Sequence, residues 1–286
     1  MKPAAIVFDV DNTLTPPRAP LSPEMGRALA ALAAPFHLAA GSDLRLVSEQ
    51  LLEPLARLGF QGSFDAFVCN GADRYRCVVQ AGRVHAEPRF RFVLRDYLGA
   101  ARFAMLWEAI ERVLDEPEFA LPGGTIEIVG PRLIDRGSMI NVVPMGRPEK
   151  MDAAAYAQRE AFVAFDRETG YRRRLLERLR QTISPWSENQ GLRVSLGGQT
   201  SFDVVVEGYD KRFPLRTLLA EGVERVLYFG DALHPEGNDR AVVEFIAAWP
   251  GSEPCPVEAV AVGSWQDTLH QLEERGLLQR KQGSCS

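Results

Sequence analysis

A short apolar run that ends abruptly in acid constrains this chain more than any other feature. Residues 4–10 read AAIVFDV and continue as DNT, so a stretch without polar side chains gives way to Asp9 and then Asp11. An apolar run of this length, bounded by turn residues, reads as a strand buried on both faces, the kind found in parallel sheets covered by helices. The pattern recurs at 36–40 and 64–69, with a helical pattern over 43–58 between them. It recurs again at 225–229, where the run ends in Gly230-Asp231. Strand–helix–strand at this spacing predicts parallel strands joined by crossover helices. Ser22-Pro23-Glu24 marks a helix start, with serine as the cap, proline in the first turn and glutamate at the positive end of the dipole.

The rhythm changes after about residue 82. Two long amphipathic helical stretches, 94–114 and 153–180, alternate with β-rich segments at 125–144 and 192–206. From residue 211 the α/β pattern returns, through strands at 225–229 and 257–262 to a helix over 266–275. The polar stretch 279–286 reads as a frayed end. The predicted fold class is α/β: a doubly wound parallel-sheet core from 1–84 and 209–286, carrying an inserted α+β cap at 85–208.

Composition narrows the partners. With 46% hydrophobic and 25% charged residues the 286-residue chain can bury a real core, and a net charge of −5 argues against a nucleic-acid partner. No apolar run reaches the roughly 18 residues that span a bilayer, and two aspartates interrupt the N-terminal stretch where a signal peptide must be apolar. The expectation is a cytoplasmic protein with no membrane partner. Cys69, Cys77, Cys255 and Cys285 include no CxxC pair, which suggests neither a zinc site nor a disulfide framework.

Three acidic elements follow strands or their loops: Asp9-Val10-Asp11-Asn12-Thr13, Gly230-Asp231, and Gly237-Asn238-Asp239. In an open α/β sheet, ligands bind beyond the carboxyl ends of the strands, so carboxylates placed there by separate strands converge. Such a cluster repels itself unless a cation is present, and hard oxygen donors suit Mg²⁺. An aspartate beside that ion can attack phosphorus and form an aspartyl-phosphate. A second aspartate two residues on can serve as general acid and base. Lys211 and Ser42, the latter in Gly41-Ser42-Asp43 after the second strand, are candidates to hold the transferring phosphate. Each element alone has a plainer explanation: a DxD is usually a turn or helix cap, a lone lysine a solvated surface group, and a GSD a helix N-cap. Their order along the chain carries the reading. A non-catalytic phospho-acceptor domain also clusters aspartates and a lysine on a parallel sheet, but its acceptor lies on a later strand and it has no large insertion.

The stretches FDVDNTLTPPRAPLSPEM, GSD, RGSMINVVPMGR, GGQTSFDV, YDKR, YFGD and PEGND resemble the haloacid dehalogenase superfamily of phosphotransferases. More narrowly, the chain resembles the eukaryotic-type phosphomannomutases, members with an inserted cap. That resemblance implies Asp9 as nucleophile, Asp11 as general acid/base, and Ser42 and Lys211 as phosphate-binding residues of the core. It implies a Mg²⁺ site around Asp9, Asp11, Asp231 and Asp239. It also implies substrate contacts from Arg18 in the core and from Arg136, Arg147, Arg159, Ser201 and Asp203 in the cap, Arg159 matching only across an insertion. Guanidinium groups stay charged and bind phosphate bidentately, which suits the cap to a second phosphate. The implied activity is a phosphomannomutase acting on a phosphorylated hexose, with a hexose bisphosphate as activator; a sugar-phosphate phosphatase using the same core residues is the alternative. Val143 stands where these mutases have serine and Asn12 where they have glycine, and the resemblance leaves the choice of sugar open. A homodimer is compatible with it.

Overall fold

A computed structural model describes residues 4–235 and 237–279. The expected frayed end at 280–286, and Cys285 with it, lie outside the described residues. Gln279 is tied down, its N donating to Ala31 O (2.6 Å) and its Nε2 to Leu32 O (3.2 Å). Contacts divide the chain into two compact units, one of Met1–Arg91, Asp210–Pro235 and Asp239–Ser286, the other chiefly Phe92–Tyr209.

The first unit opens with strand β1 (Ala5–Phe8), helix α1 (Pro23–Ala30), strand β2 (Phe36–Ala39), the short helices α2 (Leu44–Val47) and α3 (Glu53–Arg57), and strands β3 (Gly62–Val68), β4 (Asp73–Gln80) and β5 (Arg83–Arg91). The second unit contributes α4 (Leu94–Leu98), α5 (Ala100–Leu114), β6 (Leu133–Asp135), β7 (Ile140–Val142), α6 (Ala153–Thr169), α7 (Tyr171–Gln190), β8 (Leu192–Gly197) and β9 (Ser201–Val206). The chain then completes the first unit with α8 (Arg212–Ala220), β10 (Val226–Gly230), α9 (Arg240–Ala247), β11 (Val257–Ala261) and α10 (Trp265–Glu274).

The core sheet has the order β11-β10-β1-β2-β3-β4-β5. Strands β11 to β3 in that order run parallel, and β4 and β5 add an antiparallel edge. From β1 the chain moves to one side through β2 and β3, and later fills the other side with β10 and β11. This reversal makes the β1–β10 boundary a topological switch point, where α/β sheets form their binding crevice. All of β1 is buried, as its unbroken apolar sequence requires, and Phe8 stacks on Phe229 with ring centroids 5.1 Å apart. Burial of each such ring stabilises by roughly 1.5–3 kcal/mol.

The expected unit boundary at 84 and 85 falls inside β5. That strand pairs with β4 from Gln80↔Arg83 to Asp73↔Arg91 across a tight turn with Ala81 (φ 49°) and Gly82 (φ 72°) both left-handed. Residues up to Arg91 therefore belong to the core sheet, and the boundary moves with them.

The expected helix over 43–58 is interrupted. Asp43, not Ser42, caps α2 by accepting from Leu46 N (2.9 Å), and residues Ser48–Leu52 form a π-helical turn before α3. Pro54 is the cause. It has no N–H to give the carbonyl four residues earlier, and its ring crowds that carbonyl. The Gln50 carbonyl accepts from Leu21 N instead (2.7 Å).

In the second unit, β6-β7-β9-β8 form an antiparallel sheet with Asn141 directly opposite Asp203. The α+β insertion is thus present, with altered detail. The helical stretch 94–114 breaks at Gly99 (φ 79°), and 153–180 breaks at Gly170 (φ 65°), after which α7 continues to Gln190 past Pro185. Of the expected β-rich segment 125–144, only β6 and β7 are strands. Among the described residues, no helix is long and apolar enough to cross a membrane.

Candidate active site

The first candidate site lies at the switch point. Asp9 follows β1 directly, and its backbone N donates to Phe229 O (2.9 Å), which aligns the ends of β1 and β10. The chain then folds tightly, with the N–H groups of Leu14 (2.9 Å) and Thr15 (3.1 Å) both donating to Val10 O. This loop keeps Asp9 and Asp11 at the carboxyl edge of the sheet.

Lys211 reaches the same place from the segment just before α8. It is wholly buried, and its Nζ donates to Asp9 Oδ1 (2.7 Å) and Asp239 Oδ1 (2.5 Å). Asp239 also accepts from Tyr228 Oη (2.5 Å) on Oδ1 and from Ala232 N (3.0 Å) on Oδ2. Three donor contacts on one buried carboxylate make it chiefly the anchor of the lysine. Gly230 makes room for it, since a Cβ there would stand 2.5 Å from Asp239 Oδ2. Burial alone would lower the Lys211 pKa, but Asp239 and Asp9 beside it raise it above the ordinary lysine value, so it stays charged.

Ligand oxygens of Asp9, Asp231 and Asp239 lie within 4.8 Å of one another. Burial pushes Asp9 well above the usual carboxylate range, and it raises Asp231 against the opposing hydrogen bond from Asn12. Three carboxylates against one ammonium leave uncompensated negative charge in a buried place. A divalent cation would offset it, and an all-oxygen donor set suits a hard one. The residues present fit such an ion.

Asp11 is not one of the three. Its Oδ1 accepts from Gln50 Nε2 (2.9 Å) and Arg18 N (3.0 Å), two neutral donors that fix its orientation. Arg18 adopts φ 59° in making this bond. Ser42 lies in the loop after β2, the strand beside β1, and its carbonyl accepts from Cys69 N (2.8 Å).

The second unit holds its own cluster. Asn141, almost fully buried on β7, accepts on Oδ1 from Arg147 (2.6 Å) and Arg136 (3.4 Å). Its Nδ2 donates to Asp203 Oδ1 (2.6 Å) and to Phe202 O (3.2 Å) on β9. Arg136, Arg147 and Asp203, far apart in sequence, therefore meet around one amide. Gly197 lets the Asp203 carboxylate lie against the backbone, since a Cβ there would be 2.7 Å from Asp203 Oδ2. Ser201 turns inward and donates from Oγ to Gly197 O (2.5 Å). Arg159, on α6, donates to Gln199 Oε1 (3.1 Å) in the turn that leads to Ser201. Val143 is buried, with its backbone N bonded to Arg132 O (2.7 Å).

Sequence reasoning missed four participants: Asn12, Gln50, Tyr228 and Asn141. Pro54, a helix breaker four residues after Gln50, was the available signal for the π-turn that carries Gln50. Asn141 had none, because a lone asparagine in a strand is identified only by what lies opposite it.

The model of the family described as eukaryotic phosphomannomutase matches residues 32–248. A phosphomannomutase of Saccharomyces cerevisiae is 34% identical over 241 residues, covering 83% of this chain and 84% of its own. One from Schizosaccharomyces pombe is 32% identical over 238 residues, covering 82% of each. The solved structure of an N-terminally truncated Plasmodium falciparum IMP-nucleotidase aligns with a TM-score of 0.61 at 15% identity, covering 95% of this chain and 70% of that one, a likeness of fold alone. The match to the family model over most of the chain, with relatives above 30% identity along most of their own length, shows that the chain belongs to the eukaryotic phosphomannomutase family.

Proposed function

We propose that this enzyme is a Mg²⁺-dependent phosphomannomutase that interconverts mannose 6-phosphate and mannose 1-phosphate. The observation that carries the chemistry is the buried Asp9 carboxylate, bonded to Lys211 at the switch point with Asp231 beside it. The matched family span begins at residue 32, after the nucleophile loop, so Asp9 and Asp11 rest on their geometry and their motif. The sugar rests on the names of the relatives.

In this reading an Asp9 oxygen forms a bond to phosphorus as the bond from phosphorus to the sugar oxygen breaks. Asp11, oriented by Gln50 and the Arg18 backbone, gives its proton to that oxygen and later takes one from the hydroxyl that attacks in return. Lys211 offsets charge on the transferring group, with Ser42 as a further donor. Bound Mg²⁺, held by Asp9 and Asp231 with Asp239 in support, would supply additional charge stabilisation. The cycle needs Asp9 phosphorylated at the start, a role for a hexose bisphosphate. Such a molecule has two anionic ends, and each unit carries its own cationic group: Lys211 in the core, Arg136 and Arg147 around Asn141 in the cap. Arg18, Arg159, Ser201 and Asp203 are assigned to the sugar and its phosphates by the same reading.

The direct test is ³¹P NMR of the protein with Mg²⁺, mannose 1-phosphate and a trace of hexose bisphosphate. Growth of a 6-phosphate signal supports the mutase, whereas free phosphate alone indicates the phosphatase. EDTA is expected to abolish turnover and added Mg²⁺ to restore it; full activity in the chelator would give the acids another role.

The cap assignment has its own test. A charge-assisted hydrogen bond contributes roughly 1.5–3 kcal/mol, so Arg147→Ala should slow 1-phosphate to 6-phosphate conversion by about ten- to two-hundredfold. Release of phosphate from p-nitrophenyl phosphate, which has no second phosphate to bind, should change little. Parallel loss of both reactions would make Arg147 a structural residue.

A further inference from the structure

Asn12 occupies the left-handed region at φ 62°, a conformation that glycine accepts freely and asparagine more readily than most residues. Its backbone N donates to Thr15 O (2.7 Å) and so closes the loop that follows Asp9. The side chain does something separate. Its Nδ2 donates to Asp231 Oδ2 (2.9 Å), joining the loop after β1 to the end of β10 across 219 positions of sequence.

Glycine at this position would serve the turn at least as well, so the amide is accounted for by the bond to Asp231. Asp231 is one of the three carboxylates gathered where a cation fits. An unrestrained carboxylate samples several orientations and must be ordered when an ion arrives. Tied to Asn12, it is ordered beforehand and keeps its remaining lone pairs for the ion. An aspartate at 12 could not make this bond when ionised, and it would add a fourth negative charge.

We propose that Asn12 is a positioning residue that holds Asp231 ready for a divalent cation. The inference rests on the reading of the acidic cluster as a cation site. Groups that orient metal-binding carboxylates typically change metal affinity by 10–100-fold when removed.

Asn12→Gly isolates the role, because it keeps or eases the backbone conformation while deleting the bond. Asn12→Ala deletes the bond and also strains the backbone. The dissociation constant of Mn²⁺ for the substrate-free protein, read from the free-ion signal in electron paramagnetic resonance, should rise roughly 10–100-fold in both variants. The melting temperature without metal should hold or rise in Asn12→Gly and fall in Asn12→Ala. Turnover of Asn12→Gly should need more Mg²⁺ but approach the wild-type kcat at saturation.

Wild-type Mn²⁺ affinity in a folded Asn12→Gly protein would overturn the inference. So would a loss confined to Asn12→Ala, which would trace the effect to backbone strain. If the wild-type protein bound no Mn²⁺, or bound it equally well as Asp231→Asn, the cation reading itself would fall, and this pattern is distinct from the other two.

Discussion

Asp9→Asn is expected to give a folded protein without measurable turnover, a loss on the order of 10⁴–10⁶-fold, the range for deleting a covalent nucleophile. The amide keeps an oxygen that can accept from Lys211 but offers no anionic oxygen to phosphorus. Stability should not suffer. Burial raises the Asp9 pKa, so the ionised form is the disfavoured one in the folded protein. A carboxyl whose pKa rises on folding loses stability as pH climbs through its folded value, so at neutral pH an uncharged amide removes a burden. The melting temperature of Asp9→Asn at pH 7 should therefore equal or exceed that of the wild type. Turnover above contaminant level by the folded variant would remove Asp9 from the nucleophile's place.

How much of this was legible in the sequence depended on whether a signal was local. The buried strand at Ala5–Phe8 and its acidic end could be read directly, because an unbroken apolar run next to two aspartates leaves few alternatives. The parallel order of β1, β2 and β3 followed from helical spacing between the runs. Breaks inside helices were legible in principle and missed: Gly99, Gly170 and Pro54 each stand in the sequence, but an amphipathic pattern that continues on both sides masks them. The β4–β5 hairpin was missed because β5 is an exposed edge strand and β4 interleaves charged residues with its buried ones, so neither carries an unbroken apolar run.

The candidate site divides the same way. Its charged members were found by residue type and position after strands. The neutral amides that organise them were not, since Asn12, Gln50 and Asn141 gain their roles from partners 219, 39 and 62 residues away. Charge placement is a local property of sequence, whereas orientation of those charges is a tertiary one.

Lys211→Met is expected to have the largest effect on stability of any single change at the site. Methionine fills a similar volume, so packing is largely preserved and the change isolates the charge. Asp9 and Asp239 would be left together in a buried place without the ammonium that both now bond. Removing one partner of a buried ion pair destabilises by about 3–5 kcal/mol, chiefly because the remaining charge has no compensation. Turnover should also fall by roughly 10²–10³-fold, as when one preorganised charge stabiliser is deleted. Arginine should not rescue either property, because its longer planar head cannot occupy a fully buried ammonium site. The deficit has a sign in pH: burial already raises the Asp9 pKa and Lys211 opposes that rise, so without the lysine Asp9 binds its proton more tightly in the folded state and the variant should recover stability as pH falls. A double-mutant cycle then tests whether the charges act on one another. In the Asp9→Asn background one buried negative charge is already gone, and Lys211→Met should cost clearly less than in the wild type. Equal costs in the two backgrounds, measured by denaturant unfolding at pH 7, would mean that Asp239 alone holds the lysine and that Asp9 is poised by something other than its bond to Lys211.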